Sequence, residues 1–222
     1  MELKLLLKKK NKSLEKVGLT PEQRMTLHAL QKQKQLLELK EWLFVGGFIG
    51  VASLLRVPMQ ALPNVEPLTF FALLAGWLFG WKKGALVGAS SLYISNFLVL
   101  GGQGPWTIFQ VAGYGLVGFL GGFLRKKSGM LSTMGIALIA TVMLQIIFNI
   151  GWSIFIGFNL IAAMFTALPF TIVHIVSNTI FAAALPKANK LANKIGGFNE
   201  KDLCNTYINR ITGRLSKKQP TE

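Results

Sequence analysis

The sequence predicts an all-α integral membrane protein, a bundle of six transmembrane helices with both termini cytoplasmic. Three observations predict it. Hydrophobic residues make up 51% of the 222-residue chain and charged residues only 15%, where soluble globular domains carry about 25% charge. Met130–Leu185 runs 56 residues without Asp, Glu, Lys or Arg, enough for two spans of about 20 residues each. Finally, every Lys and Arg between Val57 and Pro186 (Lys82, Lys83, Arg125, Lys126 and Lys127) falls in two connections on one side of a six-pass reading. Translocating cationic loops is disfavoured, so this asymmetry orients the chain.

The elements follow in order. Residues 1–41 are expected to form a basic cytoplasmic arm. Within it, Thr20-Pro21-Glu22-Gln23 reads as a helix start, with Thr20 and Gln23 as a capping box and Pro21 at the first helical position. Met25, Leu27, Leu30, Leu36, Leu37 and Leu39 against Arg24, Lys32, Lys34 and Lys40 suit a helix on the inner membrane surface. The lysine-dense start does not read as a signal peptide, so the first apolar run is expected to persist as a membrane helix. The membrane domain is expected over 42–186. Its first span runs from Trp42 to about Leu55, and could continue toward Leu62 if Arg56 snorkels outward. The second runs from Pro67 to Trp81, ended by Lys82-Lys83. The third covers Gly84 to about Leu100. The fourth covers Trp106–Leu124, stopped by Arg125-Lys126-Lys127. The last two fill Met130–Leu185, with a reversal expected between Gly151 and Asn159. Lys187, Lys190 and Lys194 anchor the exit into a basic tail, 187–222, where Leu203, Tyr207, Ile208, Ile211 and Leu215 suit a short amphipathic helix.

The formal charge of +15 is therefore not the footprint of a nucleic-acid-binding surface. Residues 1–41 hold ten Lys/Arg against five Glu, and 186–222 hold eight against three. With the two basic connections, all of the excess lies on the cytoplasmic side, where anionic lipid headgroups account for it. No nucleic-acid partner is expected. The single cysteine, Cys204, excludes a disulfide scaffold.

Three outer connections, Val57–Glu66, Gly101–Pro105 and about Gly151–Asn159, carry amides and indoles at their edges: Gln60, Asn64, Gln103, Trp106, Trp152 and Asn159. Amides donate and accept hydrogen bonds, and indoles bury flat apolar surface, as a solute site open to the outside requires. Trp is also enriched at any membrane interface. Asn96, Gln110, Gln145, Asn149, His174 and Asn178 lie inside apolar segments, where polar side chains face protein, water or ligand. His174 and Asn178 share a helix face at i, i+4. Each could instead serve an interhelical hydrogen bond of about 0.6 kcal/mol. Arg56 and Glu66 are the outer charges; they could pair to shape a gate over the pocket or meet an ionised substrate separately, but are expected to form a plain interfacial ion pair worth under about 1 kcal/mol. The candidate substrate-binding residues are thus Asn64, Glu66, Asn96, Gln103, Trp106, Gln110, Asn149, Trp152, His174 and Asn178.

Glycines recur at four-residue spacing (Gly46/Gly50, Gly80/Gly84/Gly88, Gly118/Gly122), which lets helices approach closely. The density of Gly46-Gly47-x-x-Gly50-x-Ala52 suggests a first helix meant to touch something. No catalytic pair, metal-ligand spacing or nucleotide fingerprint is legible, so no enzyme, metal or cofactor is expected in this chain.

Asn64-Val65-Glu66-Pro67-Leu68-Thr69, Leu78-Phe79-Gly80, Gly84–Ala89, Ser95-Asn96-Phe97 and Gly102-Gln103-Gly104-Pro105-Trp106-Thr107, with Pro169-Phe170-Thr171, His174 and Ser177-Asn178, resemble the substrate-binding S component of energy-coupling-factor (ECF) vitamin transporters. The similarity covers roughly Trp42–Lys187. It implies a six-helix plasma-membrane bundle of the S-component type that captures a vitamin-like solute from outside. The bundle would then reorient on a transmembrane coupling subunit driven by two ATPase subunits, which alone would use ATP. It also implies that Gly46 and Gly50, at the spacing of the family's Ala-x-x-x-Ala, form the docking face, and that the outer connections shield the solute. A neutral or weakly charged heteroaromatic solute is expected, a cobalamin-related precursor being one candidate. The competing expectation is a structural or assembly membrane protein that docks a cytoplasmic partner and needs no pocket.

Overall fold

The computed structural model describes residues 19–125 and 127–216, with side chains up to Gly213. Residues 1–18 of the basic arm expected over 1–41, Lys126 and the Leu215 side chain lie outside them. Among the described residues the chain is all-helical: α1 Pro21–Met59, α2 Leu68–Phe79, α3 Trp81–Ser95, α4 Thr107–Gly121, α5 Met130–Ile156, α6 Leu160–Ala183, α7 Leu185–Gly196 and α8 Phe198–Ser216. By length and composition α1, α5 and α6 are each able to cross a membrane. Helices α2 and α4 are apolar but hold 12 and 15 residues. At 1.5 Å per residue they reach about 18 and 22 Å, short of the ~30 Å hydrocarbon layer.

The described residues divide into two compact units, 19–40 with 196–216, and 41–195. In the first, Leu19, Leu27, Leu37, Phe198 and Cys204 are buried, and Gln33 Nε2 donates to Glu200 Oε2 at 3.2 Å. The capping box at its start is formed in both directions: Gln23 N donates to Thr20 Oγ1 at 3.3 Å and Thr20 N to Gln23 Oε1 at 3.2 Å.

Three sequence expectations need correction. The surface helix and first span are not separate, because α1 runs unbroken from Pro21 to Met59. No Pro, or Gly in a positive-φ conformation, stands between Lys40 and Trp42 to stop it, and beyond Pro21 at its first position the only proline, Pro58, falls in its last turn. Lys82 and Lys83 are not in a connection: Gly80, at φ +87°, alone separates α2 from α3, which places both lysines in the first turn of α3. The reversal between the last two long helices is shorter than expected. Gly151 and Trp152 are helical, and the chain turns at Gly157 (φ +69°), with Asn159 capping α6 by accepting from the backbone N–H groups of Ile161 and Ala162.

The second unit packs α2, α3 and α4 through glycine. A Cβ on Gly84 would strike the Gly118 carbonyl, one on Gly118 the Gly84 carbonyl, and one on Gly88 the Tyr114 carbonyl. Backbones that close have no room for a side chain, which is what the four-residue spacing expresses. Leu68, Leu73, Leu92, Tyr114, Val117 and Leu144 fill the core beside them. Phe48 of α1 packs on Phe71 and Phe79. Because the helices alternate in direction, the segments 60–67 and 96–106 meet at one end of the unit, the end of Arg56, while the 157–159 turn stands eleven or more residues along α6 from Phe170, which Asn64 touches.

Candidate functional site

The Arg56 end is built by ties between segments distant in sequence. Gln60 Oε1 accepts from Leu100 N at 2.7 Å, joining the first and second segments. Asn64, in a left-handed conformation at φ +58°, donates to the Phe170 carbonyl at 2.9 Å, and its own carbonyl accepts from Ser177 Oγ at 3.2 Å. Asn and Gly tolerate that conformation best. The loop after α3 turns through Gly101 (φ +93°) and Gly102 (φ +53°) and so folds over the helix ends.

Beneath that loop lies a cavity of about 370 Å³ lined by Arg56, Asn96, Val99, Leu100, Gly101, Gly102, Trp106, Phe109, Gln110, Phe148 and Trp152. Trp106 and Trp152 meet edge to face, with centroids 5.7 Å apart and planes at 73°, a favoured aromatic geometry. The polar part of the wall is one chain of hydrogen bonds. Arg56 Nη1 donates to Ser95 Oγ at 2.8 Å and to Asn96 Oδ1 at 2.7 Å, and Asn96 Nδ2 donates to Gln110 Oε1 at 3.1 Å.

Behind Arg56 the network continues away from the cavity. Arg56 Nε lies 3.0 Å from Glu66 Oε2, and both side chains are largely enclosed, at 17% and 13% exposure. The other carboxylate oxygen, Oε1, lies 3.4 Å from His174 Nε2, without the alignment of a hydrogen bond. On the far side of the ring, Gln145 Nε2 sits 2.5 Å from His174 Nδ1. An amide nitrogen only donates, so Nδ1 accepts and the ring proton of a neutral His174 sits on Nε2, toward Glu66. Thr171 Oγ1 closes the chain onto Gln145 Oε1 at 3.4 Å. The Arg56–Glu66 pair is thus tied into three helices rather than standing as a plain interfacial contact.

Of the ten candidate residues, Asn96, Trp106, Gln110 and Trp152 line the cavity, and Glu66 and His174 stand behind its arginine. Asn64 fastens the 60–67 segment. Gln103 is exposed and donates to the Tyr93 carbonyl at 2.7 Å, outside the lining. Asn149 lines a separate groove between α5 and α6 with Gln145, Phe165 and Leu168. Asn178 is buried and joins Thr69 of α2 to Thr141 of α5, each at 3.1 Å. It holds three helices together and does not line the cavity. Arg56, Phe109 and Phe148 were absent from the candidates. Arg56 carried a signal nonetheless, as the one cation on its side of the predicted topology. A Cβ on Gly46 or Gly50 would meet nothing within 4 Å, so neither glycine serves packing among the described residues.

Residues 37–196 match a family of unknown function, DUF6580. The chain belongs to that family. No curated protein and no solved structure matches it. The matched segment of this DUF6580 protein contains the whole of the cavity and the Arg56–Glu66–His174 network behind it.

Proposed function

We propose that this chain is a membrane-embedded solute-binding subunit, inserted as six helices with both termini cytoplasmic and its cavity opening outward. It would act in an importer of the ECF type. A vitamin-like solute is taken up in the cavity and delivered when the subunit reorients on a transmembrane coupling partner, with hydrolysis left to partner ATPases. The observation that carries the reading is the cavity itself: four aromatic side chains and one ordered polar chain around about 370 Å³. That volume sits at the low end of the ~300–1,000 Å³ typical of small-molecule sites, so it suits a one- or two-ring solute and excludes a whole corrin. Gly46 and Gly50, with open space where side chains would be, suit the close approach of a partner helix. The short helices α2 and α4 suit a locally thinned bilayer or a tilted bundle, since mismatch costs fractions of a kcal/mol per Å.

The test is thermal unfolding of the purified protein in detergent against a panel of heteroaromatic vitamins and their precursors. A solute at about 100 times its Kd stabilises by about 2.7 kcal/mol, and Trp106→Ala should abolish the shift. No shift from any compound in a broad panel overturns the reading in favour of a scaffold that docks a cytoplasmic partner.

A further inference from the structure

The polar wall of the cavity has a direction, and Arg56 sets it. A guanidinium cannot accept a hydrogen bond. The oxygen of Asn96 therefore faces it, and the Asn96 amide nitrogen is turned to Gln110, whose Oε1 it reaches at 3.1 Å. Gln110 is left presenting Nε2, which makes no hydrogen bond among the described residues. The same is true of Arg56 Nη2 and of the indole nitrogens of Trp106 and Trp152, and all four residues line the cavity. Ser95 is spent, since it accepts from Arg56 and donates to the Leu92 carbonyl at 2.9 Å. Every polar side-chain group of the wall that lacks a partner is therefore a donor.

We propose that the solute held here is a flat ring system carrying at least two hydrogen-bond acceptors, ring nitrogens or carbonyl oxygens, along one edge and no donor on that edge. This rests on reading the cavity as a solute site and names the chemistry that the site selects. Glu66, 3.0 Å from Arg56 Nε, neutralises the guanidinium, so a neutral acceptor suffices and a carboxylate is not required. Discrimination comes from the mismatched pairing: a solute N–H set against these donors leaves both sides unsatisfied away from water, and sites of this kind reject the wrong partner strongly.

The experiment is calorimetric titration of the full chain in lipid nanodiscs, with empty discs as blank. Two flat two-ring probes are compared: 1,8-naphthyridine, with two ring-nitrogen acceptors on one edge, and the slightly larger 1,8-diaminonaphthalene, with two amino donors projecting from the same edge. Naphthyridine is expected to bind at least about tenfold more tightly. Asn96→Asp provides the reversal. A carboxylate only accepts, so Gln110 must turn its nitrogen to that position and show its oxygen to the cavity, and the preference should shrink about tenfold or invert. Where that variant does not fold, Gln110→Glu exchanges the same donor for an acceptor. Equal or donor-favouring affinity in the native chain, or an undiminished acceptor preference in the folded variant, overturns the inference and leaves the solute site standing. If neither probe binds but the vitamin panel yields a solute, a donor edge on that solute overturns it likewise. Silence from probes and panel together removes the solute site itself.

Discussion

Glu66 is held between a guanidinium at 3.0 Å and an imidazole at 3.4 Å, with most of its surface enclosed. Charges so placed have lost water, and the cost of breaking such a pair differs from the cost of replacing it. Glu66→Ala leaves the Arg56 charge enclosed without its carboxylate and should cost about 3 kcal/mol. Replacing both members, Arg56→Met with Glu66→Leu, removes the stranded charge and should cost clearly less than Glu66→Ala alone. Thermal or denaturant unfolding in detergent measures both. A loss below about 1 kcal/mol for Glu66→Ala would instead be the value of a solvated surface pair and would contradict the enclosure. The pairing of Arg56 with Glu66 could be read from the sequence, since these were the outer charges. Their tie to Ser95, Asn96 and His174 could not, because those partners lie 39 or more positions from Arg56, or are reached through Glu66, and local pattern carries no such information.

At the scale of elements, two sets of glycines with the same spacing do different things. Gly84, Gly88 and Gly118 face backbone so closely that no Cβ fits. Gly118→Ala should destabilise by about 1–3 kcal/mol, as overpacking does, in the same unfolding assay. Gly46→Leu, with open space around it, should leave stability within about 0.5 kcal/mol yet abolish copurification with a coupling subunit. Copurification that persists would discard the α1 face as a docking surface. Spacing alone revealed both motifs but not which was internal. Other parts of the fold were legible where chemistry is local: the Thr20–Gln23 box starts α1, and the 56-residue uncharged stretch holds α5 and α6. The misread boundaries share one cause. Lys82-Lys83 and Gly151-Trp152 resemble connections by charge and by Gly-aromatic content, but a helix continues through such residues when no backbone reversal is imposed. The reversals sit where glycine takes positive φ, at Gly80 and Gly157.

For the whole molecule, the proposed function depends on which way the Arg56 end faces. Helices α1 to α6 alternate in direction, so Lys82, Lys83, Arg125 and Lys127 lie toward the opposite end from the cavity. Each cation near the cytoplasmic leaflet is favoured by about 1 kcal/mol on an anionic membrane, and moving it outward is opposed by the membrane potential. Ion pairing does not separate the two ends, since Arg56 is paired with Glu66 and Lys83 with Glu41; the count does, with one cation at the cavity end against those four at the other. Cys204 is the only native thiol; with Cys204→Ala as background, a single new cysteine reports its side. Gln103→Cys, on the exposed loop over the cavity, should react with a membrane-impermeant maleimide in intact cells. Ser128→Cys, between Lys127 and α5, should react only after permeabilisation. The reverse pattern would turn the cavity toward the cytoplasm. A subunit that faced that way could not collect a solute from outside, whatever its affinity.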